Sequence, residues 1–354
     1  SLPTVTVALC DDGAPLIPGD MSLFSGAKQV AAQLRQLARR SGAAVTEPPG
    51  VCPCEGKTES AMREDLTIRL KQFKECYSVD ASVQGRVTKP PVEFIGEEIL
   101  DLTVSALLQG ENVLLCGGKA TGKNILADNL AWLFGRPVYN VSFHVNTDSS
   151  TLIGTDTFVG GEVRLRNGPV AQAAQYGGFC ILDEINMAKN DAVSVLHATL
   201  DYRRLIDVPG YDRIQLHPAA RFIGTMNYGY AGTRELNEAL VSRFLVIDMP
   251  PLSEDTLMLI LRSSFPDAKE EGLRTFAGLF LDLQLKASNS EISTKPLDLR
   301  GMIGALKTIR CGLKPRTAVT MGITNKSFDI FEKEIVGDIV MTRVPEDWTP
   351  EQIF

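Results

Sequence analysis

The chain has 354 residues, is 44% hydrophobic and 22% charged, and carries a formal net charge of −7. That length allows two or three domains, the composition is that of an ordinary globular protein, and the acidic balance argues against a nucleic-acid surface as the main partner. No apolar run approaches the roughly 18 residues of a membrane-spanning helix and no secretory leader is visible, so a cytoplasmic protein without a membrane span is expected.

The first 90 residues read as a separate accessory module and linker. Residues 2–9 alternate apolar residues with Thr and predict a short strand. Residues 22–40 carry Leu23, Val30, Leu34 and Leu37 at near-helical spacing. A loop rich in Gly, Pro and Cys follows, and its Cys52-Pro53-Cys54 is too tight for a C-x₂-C zinc pair. Met62, Leu66, Leu70, Phe73 and Tyr77 then mark one face of a second helix, and Gly85, Pro90 and Pro91 break the linker behind it.

From Phe94 the pattern changes. Ile95, Ile99, Leu102 and Leu107 predict a helix ended by Gly110. Short apolar runs follow at 112–116, 138–143, 179–182, 222–226 and 245–247, separated by helical segments. Runs of this kind predict a buried parallel sheet with helices on both faces. Cys116 and Cys180 lie within these runs and read as small core hydrophobes. After Pro250-Pro251 the pattern is helical, over 252–265, 272–287, 297–312 and 318–335. The expected division is therefore 1–90 for the accessory module and linker, 91–251 for an α/β nucleotide-binding domain, and 252–354 for a helical lid and C-terminal segment.

The most informative stretch is Gly117-Gly118-Lys119-Ala120-Thr121-Gly122-Lys123-Asn124, followed by Ile125. It fits G-x-x-x-x-G-K between a predicted strand and a predicted helix, the context of a phosphate-binding loop. Glycines let consecutive N–H groups turn toward one anion, and the helix N-terminus adds the positive end of its dipole. Lys123 is placed to reach β- and γ-phosphates. Where Ser or Thr normally offers Mg²⁺ a hydroxyl, this chain has Asn124, whose amide oxygen can still ligate the ion directly or through water.

Phe179-Cys180-Ile181-Leu182 ends in Asp183-Glu184. Asp183 would hold Mg²⁺, and Glu184 would orient and deprotonate a water. Asn227 ends the next strand, either as a turn residue before Tyr228-Gly229 or as an amide that positions the attacking water. Arg243 precedes the last strand, either as a surface ion pair or as an arginine finger for a neighbour's γ-phosphate. Arg300 opens a helix of the second subdomain, either as a solvated helix charge or folded back onto the phosphates. The three histidines, His144, His197 and His217, form no metal-ligand spacing.

Taken in order, the loop at 117–124, Asp183-Glu184, Asn227, Arg243 and Arg300 resemble an AAA+ ATPase. The similarity is nearer to the MoxR branch, which groups with dynein-like and midasin-like modules. It rests on Leu152-Ile153-Gly154, Asn167-Gly168-Pro169-Val170, Leu182-Asp183-Glu184-Ile185-Asn186, Thr225-Met226-Asn227 and Ser242-Arg243-Phe244, and covers about residues 93–312. The resemblance implies a P-loop AAA+ fold: a five-stranded parallel sheet with helices on both faces, then a helical lid, with a small separate N-terminal α(+β) module. It implies ATP with Mg²⁺, Asn227 as sensor 1, Arg243 as arginine finger and Arg300 as sensor 2. A β-hairpin over 157–165 with Gly160-Gly161 at its tip, and a second over 204–221, belong to the same pattern. It further implies a homo-oligomeric ring, expected to be a hexamer, that remodels or matures a protein partner, one class of which carries a von Willebrand A domain. Asn124 is the departure from the pattern. Two other readings stay open at this level: a nucleotide-gated binding module with little hydrolysis, and a GTP-using or nucleic-acid-linked subunit.

Overall fold

The computed structural model describes residues 62–208, 210–227 and 236–354. The strand and helix expected before residue 41 and the Cys52-Pro53-Cys54 loop lie outside them. The unit that contains the described residues begins at Gly56.

Helix α1 (Glu64–Cys76) comes first and α2 (Glu97–Leu108) second, followed by β1 (Val113–Gly117), α3 (Lys123–Leu133) and β2 (Val138–Ser142). A hairpin of β3 (Gly154–Val159) and β4 (Glu162–Asn167) leads into α4 (Pro169–Tyr176) and β5 (Phe179–Asp183). A short hairpin of two-residue strands, β6 (Leu205–Ile206) and β7 (Ile214–Gln215), precedes β8 (Arg221–Asn227) and β9 (Leu245–Met249). The central sheet has the order β2-β5-β8-β1-β9, every pair parallel. Both expected hairpins form, the first longer than its predicted span.

Successive side chains of a strand point to opposite faces, and the two cores of this domain show it. Leu114, Cys116, Cys180, Leu182 and Phe222 pack on one face with Val170, Ala171 and Ala174 of α4. Val113, Leu115, Phe179, Ile181 and Ile223 pack on the other with Leu126 and Leu130 of α3 and Leu100, Val104 and Leu107 of α2. Met62, Leu66, Leu70 and Phe73 join that second core, so the apolar stripe of α1 is spent on the sheet's own helical layer. Its link to β2 runs through Arg136, which is 1% exposed. Arg136 Nη1 donates to Tyr77 O at 2.7 Å, Nε to Gly177 O at 2.7 Å and Nη2 to Tyr176 O at 3.0 Å.

The lid holds α5 (Glu254–Ser264), α6 (Glu270–Ser288), α7 (Leu299–Arg310), α8 (Pro315–Gly322) and α9 (Ile330–Arg343) around its own core. The helix expected over 318–335 is broken between Gly322 and Ile330. A Cβ at Gly322 would lie 2.5 Å from Gly301 O, so α7 and α8 cross at backbone contact. The chain must then turn, and Asp329 starts α9 anew by accepting from the Glu332 N–H.

Candidate nucleotide-binding site

All five strands of a parallel sheet finish on one edge, and the loops that leave that edge converge. Register sets Gly117 beside Asn227 and Leu182 beside Gly224, which brings Asp183 level with Thr225. The loop after β1 turns through Ala120 at φ +64° and Gly122 at φ +89°, the latter as N-cap of α3. Left-handed backbone costs glycine little and other residues roughly 1–2 kcal/mol. The turn it makes here can present successive N–H groups to one anion. No acid occupies the first turn of α3, so the positive end of its dipole is left for a ligand.

Lys123 is the first residue of α3 and is buried. Its Nζ donates to Gly118 O at 2.6 Å, Gly117 O at 3.0 Å and Thr121 Oγ1 at 3.2 Å. Burial pushes its pKa down to about 8, against the pull of Cys116, Asp183 and Glu184. Asn124 Nδ2 donates to Asp183 Oδ2 at 3.1 Å. Thr225 Oγ1 donates to Asp183 Oδ1 at 2.6 Å and accepts from the Glu184 N–H at 3.1 Å. Glu184 sits at φ +55°, a left-handed position where the β5 edge turns into the next segment. Asn227 Nδ2 donates to Glu184 Oε1 at 3.2 Å, and the buried Asn186 donates to Asn227 O at 3.0 Å.

Lys123, Asn124, Asp183, Glu184 and Asn227 line one cavity of about 630 Å³. Residues 90–95 form a second wall, held by Asn129, whose Nδ2 donates to Val92 O at 2.9 Å and whose Oδ1 accepts from the Phe94 N–H at 3.3 Å. The lid supplies the third wall, with Leu252, Ile260, Leu299, Ile303 and the exposed Arg300. The volume suits a nucleotide, and the walls at 90–95 and in the lid add apolar residues beside the charged loop.

The donor set fits a magnesium nucleotide. The Asn124–Asp183 bond spends the donor end of the amide, which leaves the Asn124 oxygen as a hard ligand beside the Asp183 carboxylate. Among the described residues no group of three or more His, Cys, Asp or Glu could hold a metal by itself, so a cation here would take other ligands from phosphates and water. Asp128 also lines the cavity, its carboxyl pushed up by burial and then by the Asp183 charge.

Arg243 is not among these groups. Its Nε donates to His197 O at 3.1 Å, Nη1 donates to Ala239 O, and Nη2 lies 3.8 Å from Asp201 Oδ2. Asn112 Nδ2 donates to Arg243 O at 3.1 Å, which ties Arg243 to the starting end of β1 and β9. The phosphate loop leaves the other end of β1, on the order of 13 Å along the strand.

The sequence reading names Lys119 as part of the phosphate loop and Asn186 and Thr225 as words of the family pattern, but the contacts of all three escape it. Thr225 is an unremarkable strand residue until the β5–β8 register sets it against Asp183. Asn186 follows the two acids but gains its meaning from contact with Asn227. Lys119 reads as a loop residue, yet its Nζ reaches the lid carbonyls of Thr294 and Lys295.

A parallel sheet with a glycine loop after its first strand, paired acids after the third and a helical lid defines a P-loop nucleotide-binding domain. Residues 112–244 match the AAA domain of the dynein-related subfamily. The uncharacterised protein YojN of Bacillus subtilis is 32% identical over 284 residues, covering 79% of this chain and 93% of that relative. The uncharacterised protein SERP0979 of Staphylococcus epidermidis is 30% identical over 238 residues, 65% of this chain and 90% of the relative. A solved RuvB variant of Thermotoga maritima is 19% identical with a TM-score of 0.44, covering 72% of each chain. The chain belongs to the AAA+ ATPase family. No described helix is long and apolar enough to cross a membrane.

Proposed function

We propose that the protein binds and hydrolyses ATP. The observation that carries this is the meeting of Lys123, Asn124, Asp183, Glu184, Asn227 and Arg300 around one cavity at the strand ends. The backbone of residues 117–125 holds the phosphates, with the Lys123 ammonium on the β- and γ-groups. Asn124 and Asp183 hold Mg²⁺, which neutralises charge on the phosphoryl oxygens. Glu184 orients and deprotonates a water, with Asn227 fixing the carboxylate. Arg300 reaches the phosphates from the lid. Arg243 serves a neighbouring subunit in a ring, because its own cavity lies at the far end of β1; fingers supplied this way are worth about 10³–10⁵ in rate. The work done by such a ring, on the MoxR-like reading, is remodelling or maturation of a protein partner, including partners with a von Willebrand A domain.

Calorimetry with MgATP and phosphate release on the same protein test the reading. Wild type should bind and turn over, Lys123→Ala should bind weakly with an unchanged fold, and Arg243→Ala mixed with Glu184→Gln should recover activity that neither has alone. Wild type without nucleotide affinity would remove the reading; a dead mixture of demonstrably co-assembled variants would remove the shared site.

A second reading, a nucleotide-gated binding module, has one observation in its favour: Asn124 stands in place of the metal-facing hydroxyl and is already bonded to Asp183. Wild type that binds ATP without turnover, and gains turnover in Asn124→Thr, selects that reading.

A further inference from the structure

Lys119 belongs to the phosphate loop, yet its ammonium is spent elsewhere. Nζ donates to Lys295 O at 3.1 Å and to Thr294 O at 3.2 Å, two carbonyls of the lid segment that leads into α7. The side chain is half-buried, and burial lowers its pKa while Asp298 pulls it back up. The lid segment is fixed at both ends. The Ser293 N–H donates to Glu332 Oε1 at 2.7 Å, on α9. Asp298 caps α7 by accepting from the Arg300 N–H at 3.0 Å, and its other oxygen pairs with Lys326 of the turn before α9. Hydrogen bonds thus tie the phosphate loop to Thr294 and Lys295, and three residues further along the chain Asp298 caps the helix that begins beside Arg300.

Beside this bond the loop touches the lid through apolar contact, with Ala120 packed against the lid core. Apolar contact is non-directional and lets two surfaces rock, whereas hydrogen bonds from one ammonium to two carbonyls fix an angle. We propose that Lys119 is a positioning residue that latches the lid to the phosphate loop and so sets the angle at which Arg300 meets the nucleotide phosphates. The proposal rests on the nucleotide reading above. It gives the loop two lysines with separate tasks, Lys123 for the ligand and Lys119 for the lid. Removal of the ammonium loosens the lid without emptying the site.

Two exposed cysteines, Cys76 on the sheet side and Cys311 on the lid, allow a direct measurement. With Cys10, Cys52 and Cys54 changed to Ser in the full-length chain, spin labels at Cys76 and Cys311 report the lid angle by electron–electron resonance. Lys119→Met, which keeps the stem and loses the donors, should broaden the distance distribution without nucleotide, and Lys119→Arg should restore it. In phosphate-release assays Lys119→Met should lower kcat roughly tenfold with KM changed less than threefold. Added to Arg300→Ala it should cost nothing further, because its effect passes through Arg300. A distribution in Lys119→Met as narrow as wild type, or losses in the double variant that multiply, overturns the latch. Wild type that binds no ATP overturns the nucleotide reading, a result seen by calorimetry and separate from the label distances.

Discussion

Asn227 donates its side-chain amide to Glu184, 3.2 Å from nitrogen to Oε1, so the end of β8 holds the carboxylate that follows β5. Asn186 in turn donates to the carbonyl of Asn227, and the three residues lock one another at the strand edge. If Glu184 is the base of the proposed reaction, a carboxylate restrained this way would be held ready to receive a water proton rather than free to sweep the cavity. Glu184→Gln keeps an acceptor for Asn227 and loses the base. It should bind MgATP with affinity near wild type and hydrolyse it about 10²–10⁴-fold more slowly. Hydrolysis by Glu184→Gln at the wild-type rate would clear Glu184 of the base role.

Thr225 should matter as much to stability as to chemistry. Its hydroxyl donates to Asp183 and accepts from the Glu184 N–H, and the residue is 1% exposed. Thr225→Val keeps the shape, strips a short bond from a carboxylate and leaves a part-buried N–H without its acceptor. The expected loss is about 2 kcal/mol in urea unfolding. Glu184 also loses a restraint on its left-handed backbone. Thr225→Ser, which retains the hydroxyl, should recover most of the loss. Equal midpoints for wild type and Thr225→Val would show that the hydroxyl contributes little.

Lys123 makes the site pH-dependent in a defined direction. Burial holds its folded pKa at about 8, below the ordinary 10.5. Between those values the unfolded chain carries a proton that the folded, ligand-free protein lacks. Stability contributed by this group therefore rises with pH across the window, and the cost of the buried charge is felt in full below about pH 8. A triphosphate favours the charged amine, so binding above pH 8 must take up a proton. At pH 9, calorimetry in buffers of different ionisation heat should show uptake of roughly one proton, and Lys123→Met should show none. Uptake of zero in wild type at pH 9 would mean that the amine is already charged in the empty loop.

Arg136 tests how α1 is held. Its guanidinium fans out to carbonyls in two chain segments, residues 77–78 and 176–177, with no carboxylate partner among the described residues. Arg136→Met leaves those carbonyls unpaired, and a loss of about 3 kcal/mol is expected. Arg136→Lys should rescue little, because a single ammonium cannot serve acceptors in the several directions of a planar fork. Faster proteolytic cutting within residues 77–90 in both variants is the accompanying readout; stability unchanged in Arg136→Met would locate the anchor of α1 in its apolar face alone.

Much of this protein was legible one residue at a time. Five apolar runs became five strands: β1, β5 and β8 are buried on both faces and need no polar alternation, while the edge strands β2 and β9 are buried on one face only and are legible from their apolar residues alone. The loop at 117–124 announced itself because a glycine-rich turn, a lysine and a helix start must be contiguous in the chain to surround a phosphate. Asp183-Glu184 could be read for the same reason, two acids at the end of an apolar strand. What the chain could not reveal depends on pairs far apart in sequence. Thr225 gains its role from the register of β5 with β8, and Lys119 from carbonyls 175 and 176 residues away. The break between α8 and α9 follows from the backbone contact of Gly322 with Gly301, which no helical periodicity records. Local chemistry is written in neighbouring side chains; strand register, helix crossings and the grip of lid on loop are decided only when the core packs, because only then are distant donors and acceptors brought within hydrogen-bonding distance of each other.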